Sequence, residues 1–379
     1  MNLDALLEAA VKLEASDLLI KAFSPPLLRI NGDLVAADRP PLSPEEATAL
    51  VRAAASEADW DSFLEELELD AAYDVPSLGR FRVNFFLHRR TIGAAFRIVP
   101  SCIRTMEELA LPPVCRSFVE RPRGMVIVTG PTGSGKSTSQ AAMVDFINEH
   151  FPCHIITIED PIEFVQQNKR ALVSQREVGR DTASFEDALR HTLREDPDVI
   201  LVGEMRDRES VALALQAAET GHLVITTLHT LDAAETVNRI VDVFPTFQQE
   251  QVRTQLAMNL LGVISQILVR RGDGQGRVAA FEILVAVPAV RAAIRDNKIY
   301  QIPSIIQTGM ESGMITLDRS LADLVRARRI TYEEGLWRAK HPEEYANLAL
   351  QAPSETSVTE KSAEGQSAPP QPGRPSRSA

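Results

Sequence analysis

The chain has 379 residues, enough for about two domains at roughly 150 residues each. With 44% hydrophobic and 24% charged residues, it has the composition of a globular protein that buries a sizeable core. A formal charge of −12 argues against general attraction to DNA, RNA or an anionic membrane, and no apolar run reaches the ~18 residues that a bilayer-spanning helix requires.

Leu3, Leu6, Leu7, Ala10 and Val11 recur at helical spacing. The same stretch carries acids where a signal peptide carries bases, so no leader is expected. An extended stretch at Leu18 to Ile20 and another at Leu27 to Ile30 are punctuated by Pro25, Pro26 and Asn31-Gly32, which predicts two short strands around a hairpin turn. Ser43-Pro44-Glu45-Glu46 opens a helix, with Ser43 as N-cap, proline at the first helical position and acids in the first turn. Phe81, Val83 and Phe85 alternate with Arg82 and Asn84, and a second run spans Ile92 to Val99; both read as paired strands. Residues 1–100 are therefore expected to form a small α/β domain.

Residues 101–123, with Pro112, Pro113 and Pro122, read as a linker. Residues 124–348 form the second expected domain. Met125 to Val128 is a short apolar strand, and similar runs recur at Ile155 to Ile158, Val199 to Val202 and Leu223 to Thr227, separated by helical segments. That alternation predicts βα units and a mostly parallel sheet. Gln255 to Val269 lies in the longest uncharged stretch and, with Asn259, Ser265 and Gln266, reads as a core helix; a turn at Gly272-Asp273-Gly274, a strand near Ala279 to Leu284 and further helices to about Leu348 follow. Residues 349–379, rich in Ser, Pro, Glu and Gln, are expected to be a disordered tail. Cys102, Cys115 and Cys153 fit neither a zinc motif nor a disulfide framework and read as inert thiols.

The chemistry concentrates at Gly130-Pro131-Thr132-Gly133-Ser134-Gly135-Lys136-Ser137-Thr138, which meets G-x-x-x-x-G-K-[ST] at every required position, between an apolar strand and a predicted helix. The glycines let backbone N–H groups turn inward around a β-phosphate, and the helix that follows directs its N-terminal dipole at the same charge. Lys136 supplies charge to the β- and γ-phosphates, Ser137 offers a hydroxyl to Mg²⁺, and Thr138 should lie near the α-phosphate. An ATP and Mg²⁺ site is the expectation.

Hydrolysis further needs a group that orients or deprotonates water and a second acidic partner for the metal. Ile155 to Ile158 runs into Glu159, Asp160 and Glu163, where carboxyl ends of parallel strands converge on the phosphates. Glu163 is the leading general base; Glu159 and Asp160 read as structural. Asp198 to Glu204 is an apolar strand ending in an acid, with Gly203 where many phosphate-loop proteins carry the metal-binding aspartate. Glu204 is expected to reach the metal through water, and the sequence leaves the base role open between Glu163 and Glu204. His222 and His229 bracket another strand; His229, past its carboxyl end, is placed to sense a γ-phosphate, and His222 is the second candidate.

Together these four segments resemble the Walker A, aspartate, Walker B and histidine boxes of the secretion and pilus-motor ATPases, and within them the pilus retraction ATPases. Further resemblance lies in Gly79-Arg-Phe-Arg-Val-Asn84, Leu193-Arg-Glu-Asp-Pro-Asp198, Gly203-Glu-Met-Arg-Asp207 and Arg239-Ile-Val-Asp-Val-Phe-Pro245. Ala289 to Asp296 is similar to the C-terminal segment that marks retraction ATPases, retaining Arg291, Ile294 and Arg295 and departing from it at Val290, Ala292, Ala293 and Asp296.

The resemblance implies an N-terminal PAS-like domain joined to a RecA-like domain, in a homo-hexameric ring. It implies a cytoplasmic motor held at the inner membrane by a pilus platform protein, working with other pilus ATPases, with no nucleic-acid partner and no direct membrane insertion. It also implies arginines that reach the phosphates from the N-terminal domain or a neighbour, for which Arg82 and Arg97 are the candidates. An accessory pilus or type II secretion ATPase, a nucleotide-gated ring with little turnover and a nucleic-acid translocase are the alternatives.

Overall fold

The computed structural model describes residues 2–30, 33–76, 78–99 and 102–350. The expected turn at Asn31-Gly32 and the tail beyond residue 350 lie outside the described residues.

The N-terminal unit is built on a six-stranded sheet of order β3-β2-β1-β6-β5-β4. In chain order its elements are α1 (Leu3–Lys12), β1 (Asp17–Lys21), β2 (Leu27–Ile30), β3 (Asp33–Ala36), α2 (Pro44–Arg52), α3 (Glu57–Glu66), β4 (Glu68–Val75), β5 (Gly79–His88) and β6 (Thr91–Ile98). All its pairings are antiparallel. Ser43 caps α2 as expected, its side chain accepting from the Glu46 amide while Glu46 accepts from the Ser43 amide. One face of β5, with Phe81, Val83 and Phe85, is buried against the helices.

Phe85 has no exposed surface, and its ring lies 5.8 Å from that of Phe63 in α3. Phe85→Ala is expected to cost about 3–5 kcal/mol by leaving a cavity in this core. Denaturant unfolding followed through Trp60, 5.5 Å from the Phe63 ring, checks it; a loss below about 1 kcal/mol would contradict the packing.

The second unit carries a seven-stranded sheet of order β13-β12-β7-β11-β10-β8-β9. It begins with α4 (Val114–Val119), β7 (Gly124–Thr129), α5 (Lys136–His150), β8 (His154–Glu159), β9 (Leu172–Glu177), α6 (Phe185–Thr192), β10 (Val199–Val202), α7 (Arg208–Glu219) and β11 (Leu223–Leu228). It continues with α8 (Ala233–Asp242), α9 (Thr246–Asn259), β12 (Leu260–Arg270) and β13 (Arg277–Val285), and closes with the helices α10 (Pro288–Arg295), α11 (Ile302–Thr308), α12 (Leu317–Arg326), α13 (Tyr332–Arg338) and α14 (Pro342–Leu350). Within this sheet only the β12–β13 pairing is antiparallel among the described strands. β7, β10 and β11 are buried along their whole length, which is why they read as continuous apolar runs.

Three expectations change. Gln255 to Val269 is not one helix: α9 ends at Asn259, and Leu260 begins β12. Val263, Ile264, Ile267 and Val269 are β-branched, and the strand slots beside β7, where both its faces find apolar cover. The expected linker is packed where it is described: Met106, Leu111, Cys115, Phe118 and Val119 are buried against β7 and α5. Burial pushes the Cys115 thiol up to about 12, in keeping with an inert cysteine. Ala349 and Leu350, assigned to the tail, belong to α14.

Candidate nucleotide site

The loop after β7 sits at the carboxyl edge of a mostly parallel sheet, between β11 and β12. Gly130 has φ 143° and lies under the loop; a Cβ there would come within 2.2 Å of the Gln266 carbonyl oxygen, so a side chain would collide with the backbone of β12. Gly135, at φ 89°, is the N-cap of α5, whose first residue is Lys136.

Residues Thr132, Gly133 and Gly135 to Thr138 line a cavity of about 520 Å³ together with Glu159, Asp160, Glu163, Glu204 and His229. The boxes separated along the sequence therefore meet, because β7, β8, β10 and β11 all end at this edge.

Lys136 Nζ donates to the carbonyls of Gly130 (2.8 Å) and Pro131 (3.2 Å) and lies 3.5 Å from His229 Nδ1. Burial lowers the Lys136 pKa, and the Glu204 and Glu163 carboxylates oppose that shift. His229 Nε2 is 3.2 Å from Glu204 Oε1, and Arg206 Nε donates to Glu204 Oε2 at 2.9 Å. Both Glu204 oxygens are thus engaged, while Glu163 is exposed to the cavity. Desolvation pushes the Glu159 carboxyl up, against hydrogen bonds from Thr157 Oγ1 (2.7 Å), Gln175 Nε2 (3.1 Å) and the Glu163 backbone amide, which pull it down. The Asp160–Pro161 peptide between these acids is cis. At Gly203 an added Cβ would press within 3.2 Å of Ile158 O and 3.3 Å of Glu159 Cα, so the neighbouring strand leaves little room for an acid there.

Comparison with known proteins bears on the same residues. The family model of the type II/IV secretion system protein matches residues 105–314, more than half of the chain. The chain belongs to that family. It is 52% identical over 322 residues to a twitching motility protein of Neisseria gonorrhoeae, covering 85% of this chain and 86% of the relative. It is 50% identical to the type IV pilus retraction ATPase PilT of Pseudomonas aeruginosa, covering 91% and 100%. A crystal structure of the pilus retraction motor PilT with bound ADP aligns with a TM-score of 0.86 at 45% identity, covering 91% of this chain and 98% of that one. The α/β fold expected from the sequence is that of this family.

Three predicted residues lie away from the cavity. His222 is at the amino end of β11, where its Nδ1 is 2.9 Å from Ala217 O and 3.2 Å from Thr220 Oγ1, fixing the turn that follows α7. At a rise of about 3.3 Å per residue the strand separates it from His229 by roughly 20 Å. Arg97 is paired with Asp17 at 2.9 Å, and Arg82 stands opposite it across β5 and β6. Neither lines the cavity of its own chain. The arginines that do are Arg206 and Arg277. Arg206 was within reach of sequence reasoning, as a cation two residues past the Walker B acid. Gln266 was not: its Nε2 donates to Ser134 O at 2.7 Å and its Oε1 accepts from Ser139 at 2.8 Å, clamping the phosphate loop from β12. Its one signal is a buried amide within an apolar run.

Proposed function

We propose that the chain is an ATP-hydrolysing motor that drives retraction of a type IV pilus. The observation that carries this is the convergence of the phosphate loop, Glu163, Glu204 and His229 on one cavity, in a chain half identical to a pilus retraction ATPase over that relative's full length.

Gly130 to Thr138 would hold the triphosphate, with Lys136 exchanging its loop carbonyls for β- and γ-phosphate oxygens. The Ser137 hydroxyl and the Glu204 carboxylate face the same cavity, and two oxygen donors beside a polyphosphate fit Mg²⁺, which keeps several waters and takes few protein ligands. When bound, that ion would neutralise charge on the β- and γ-oxygens. Glu163 would accept a proton from the attacking water. His229, between Lys136 and Glu204, would respond to the γ-phosphate by changing partners.

A homo-hexameric ring would supply the missing cations. Asp17, Arg97 and Arg82 stand in register on one sheet face of the N-terminal unit, with Arg82 directly beside Arg97. Asp17 already meets Arg97 at 2.9 Å, so Arg82 and Arg97 would act in trans on a neighbour's triphosphate only with Arg97 released from that partner. The domain boundary would lie near residue 100. Among the described residues no helix is long and apolar enough to cross a membrane, so attachment at the cytoplasmic face of the inner membrane would run through the pilus platform protein.

Phosphate release, measured beside mass in solution with and without Mg-ATP, tests this reading. Turnover that tracks a hexamer is expected. A protein that binds ATP as a monomer and never hydrolyses it would sink the motor reading.

A further inference from the structure

Ile162 and Glu163 follow directly on the acidic turn after β8, and the loop they open is held by side chains of β9. Gln175 donates to Phe164 O at 2.9 Å and accepts from the Gln166 amide at 2.7 Å. The buried amide of Ile162 donates to Glu177 Oε2 at 3.2 Å. That same oxygen receives Arg80 Nη2 at 2.7 Å, and Arg80 comes from β5 of the N-terminal unit. The pair is largely out of water, with Arg80 15% and Glu177 7% exposed. Arg180 faces the other oxygen, Oε1, at 3.4 Å and donates to Ala72 O of β4 at 3.3 Å. One carboxylate oxygen thus joins the N-terminal unit to the backbone immediately before Glu163.

We propose that Glu177 is a positioning residue for hydrolysis, which through Arg80 makes the placement of Glu163 depend on the orientation of the N-terminal unit. The inference rests on Glu163 as the base of the proposed ATPase. With Arg80 in place, the Glu177 carboxylate is charge-compensated and directed at the Ile162 amide. When the N-terminal unit swings away, Arg80 leaves and Arg180 remains the cation beside the carboxylate. Oε2 then turns toward that cation or toward water, and the Ile162 amide loses its acceptor. Glu163 moves off its water with the loop, while the phosphate loop, anchored separately by Gln266, keeps ATP. Hydrolysis is thereby restricted to one domain arrangement and nucleotide binding is not.

The experiment compares full-length wild type with Arg80→Leu, Arg80→Lys and Glu177→Gln for ATP turnover, ATP affinity and deuterium uptake by residues 160–166 and 130–138. Arg80→Leu is expected to lower kcat about tenfold, part of the 10²–10⁴ that a general base contributes. Its ATP affinity should stay within about twofold, with faster exchange in 160–166 alone. Arg80→Lys should recover most of the rate, and Glu177→Gln should behave as Arg80→Leu does, serving in its place if that variant does not fold. Wild-type turnover, or unchanged exchange in 160–166, would overturn the proposal. So would a loss of ATP affinity equal to the loss of rate, with exchange rising across the whole sheet, since that is a merely structural defect. Glu163→Gln separates the two readings: if it hydrolyses ATP normally, the assignment of the base fails, whereas the exchange data still decide whether Arg80 holds the loop.

Discussion

Lys136→Ala is expected to reduce ATP turnover by at least about 10²–10³, the scale of losing one preorganised donor at a site of developing charge. The loss should be larger here because the ammonium serves binding as well. Burial already lowers the Lys136 pKa, so keeping the charged form in this cavity is unfavourable without an anion to meet it. A triphosphate provides that anion, and the carboxylates of Glu204 and Glu163 across the cavity do so in part. Removing the ammonium deletes two hydrogen bonds to loop carbonyls but also a desolvated charge. The fold should therefore tolerate the change, with a stability effect within about 1 kcal/mol. A fluorescent nucleotide titration beside steady-state phosphate release checks both halves. A variant that melts normally yet neither binds nor hydrolyses is the expected result; one that keeps turnover would place the nucleotide elsewhere.

Much of this site is written in contiguous residues, and that is why it could be read. The phosphate loop needs glycine at fixed spacing for backbone reasons, and β7, β8, β10 and β11 are largely apolar runs because both faces of the sheet are covered. What escaped is what depends on neighbours far along the chain. The strand character of residues 260–269 comes from pairing with β7 and β13, and an uncharged, mostly apolar run does not reveal its period. β9 is half-buried and carries Ser174, Gln175, Arg176 and Glu177, so nothing in its pattern signals a strand whose polar side chains clamp a loop. Strand direction already ranks His229, past the carboxyl end, ahead of His222; what the sequence does not reveal is that His222 fixes a turn while His229 meets Lys136 and Glu204.

Glu163→Gln should bind ATP with nearly wild-type affinity and lose about 10²–10⁴ in kcat, the contribution of a positioned general base. The geometry distinguishes it from Glu204 in a way the sequence does not. Glu204 Oε1 faces His229 and its Oε2 accepts from Arg206, so each oxygen already has a partner that competes with a water for it. Glu163 is exposed to the cavity, and its own amide is held by the Glu159 carboxyl, which fixes the backbone while leaving the side chain to face a water. Glutamine keeps the size of the side chain and removes the basic oxygen, so affinity and fold should survive where chemistry does not. Glu204→Gln should act differently: it weakens the links to His229 and Arg206 and is expected to raise the Mg²⁺ concentration needed for half-maximal rate. Turnover measured against Mg²⁺ for the two variants separates them. A flat loss of rate at every Mg²⁺ concentration in Glu163→Gln marks the base, and a loss that added Mg²⁺ repairs in Glu204→Gln marks the metal partner. Normal turnover by Glu163→Gln would transfer the base role to Glu204.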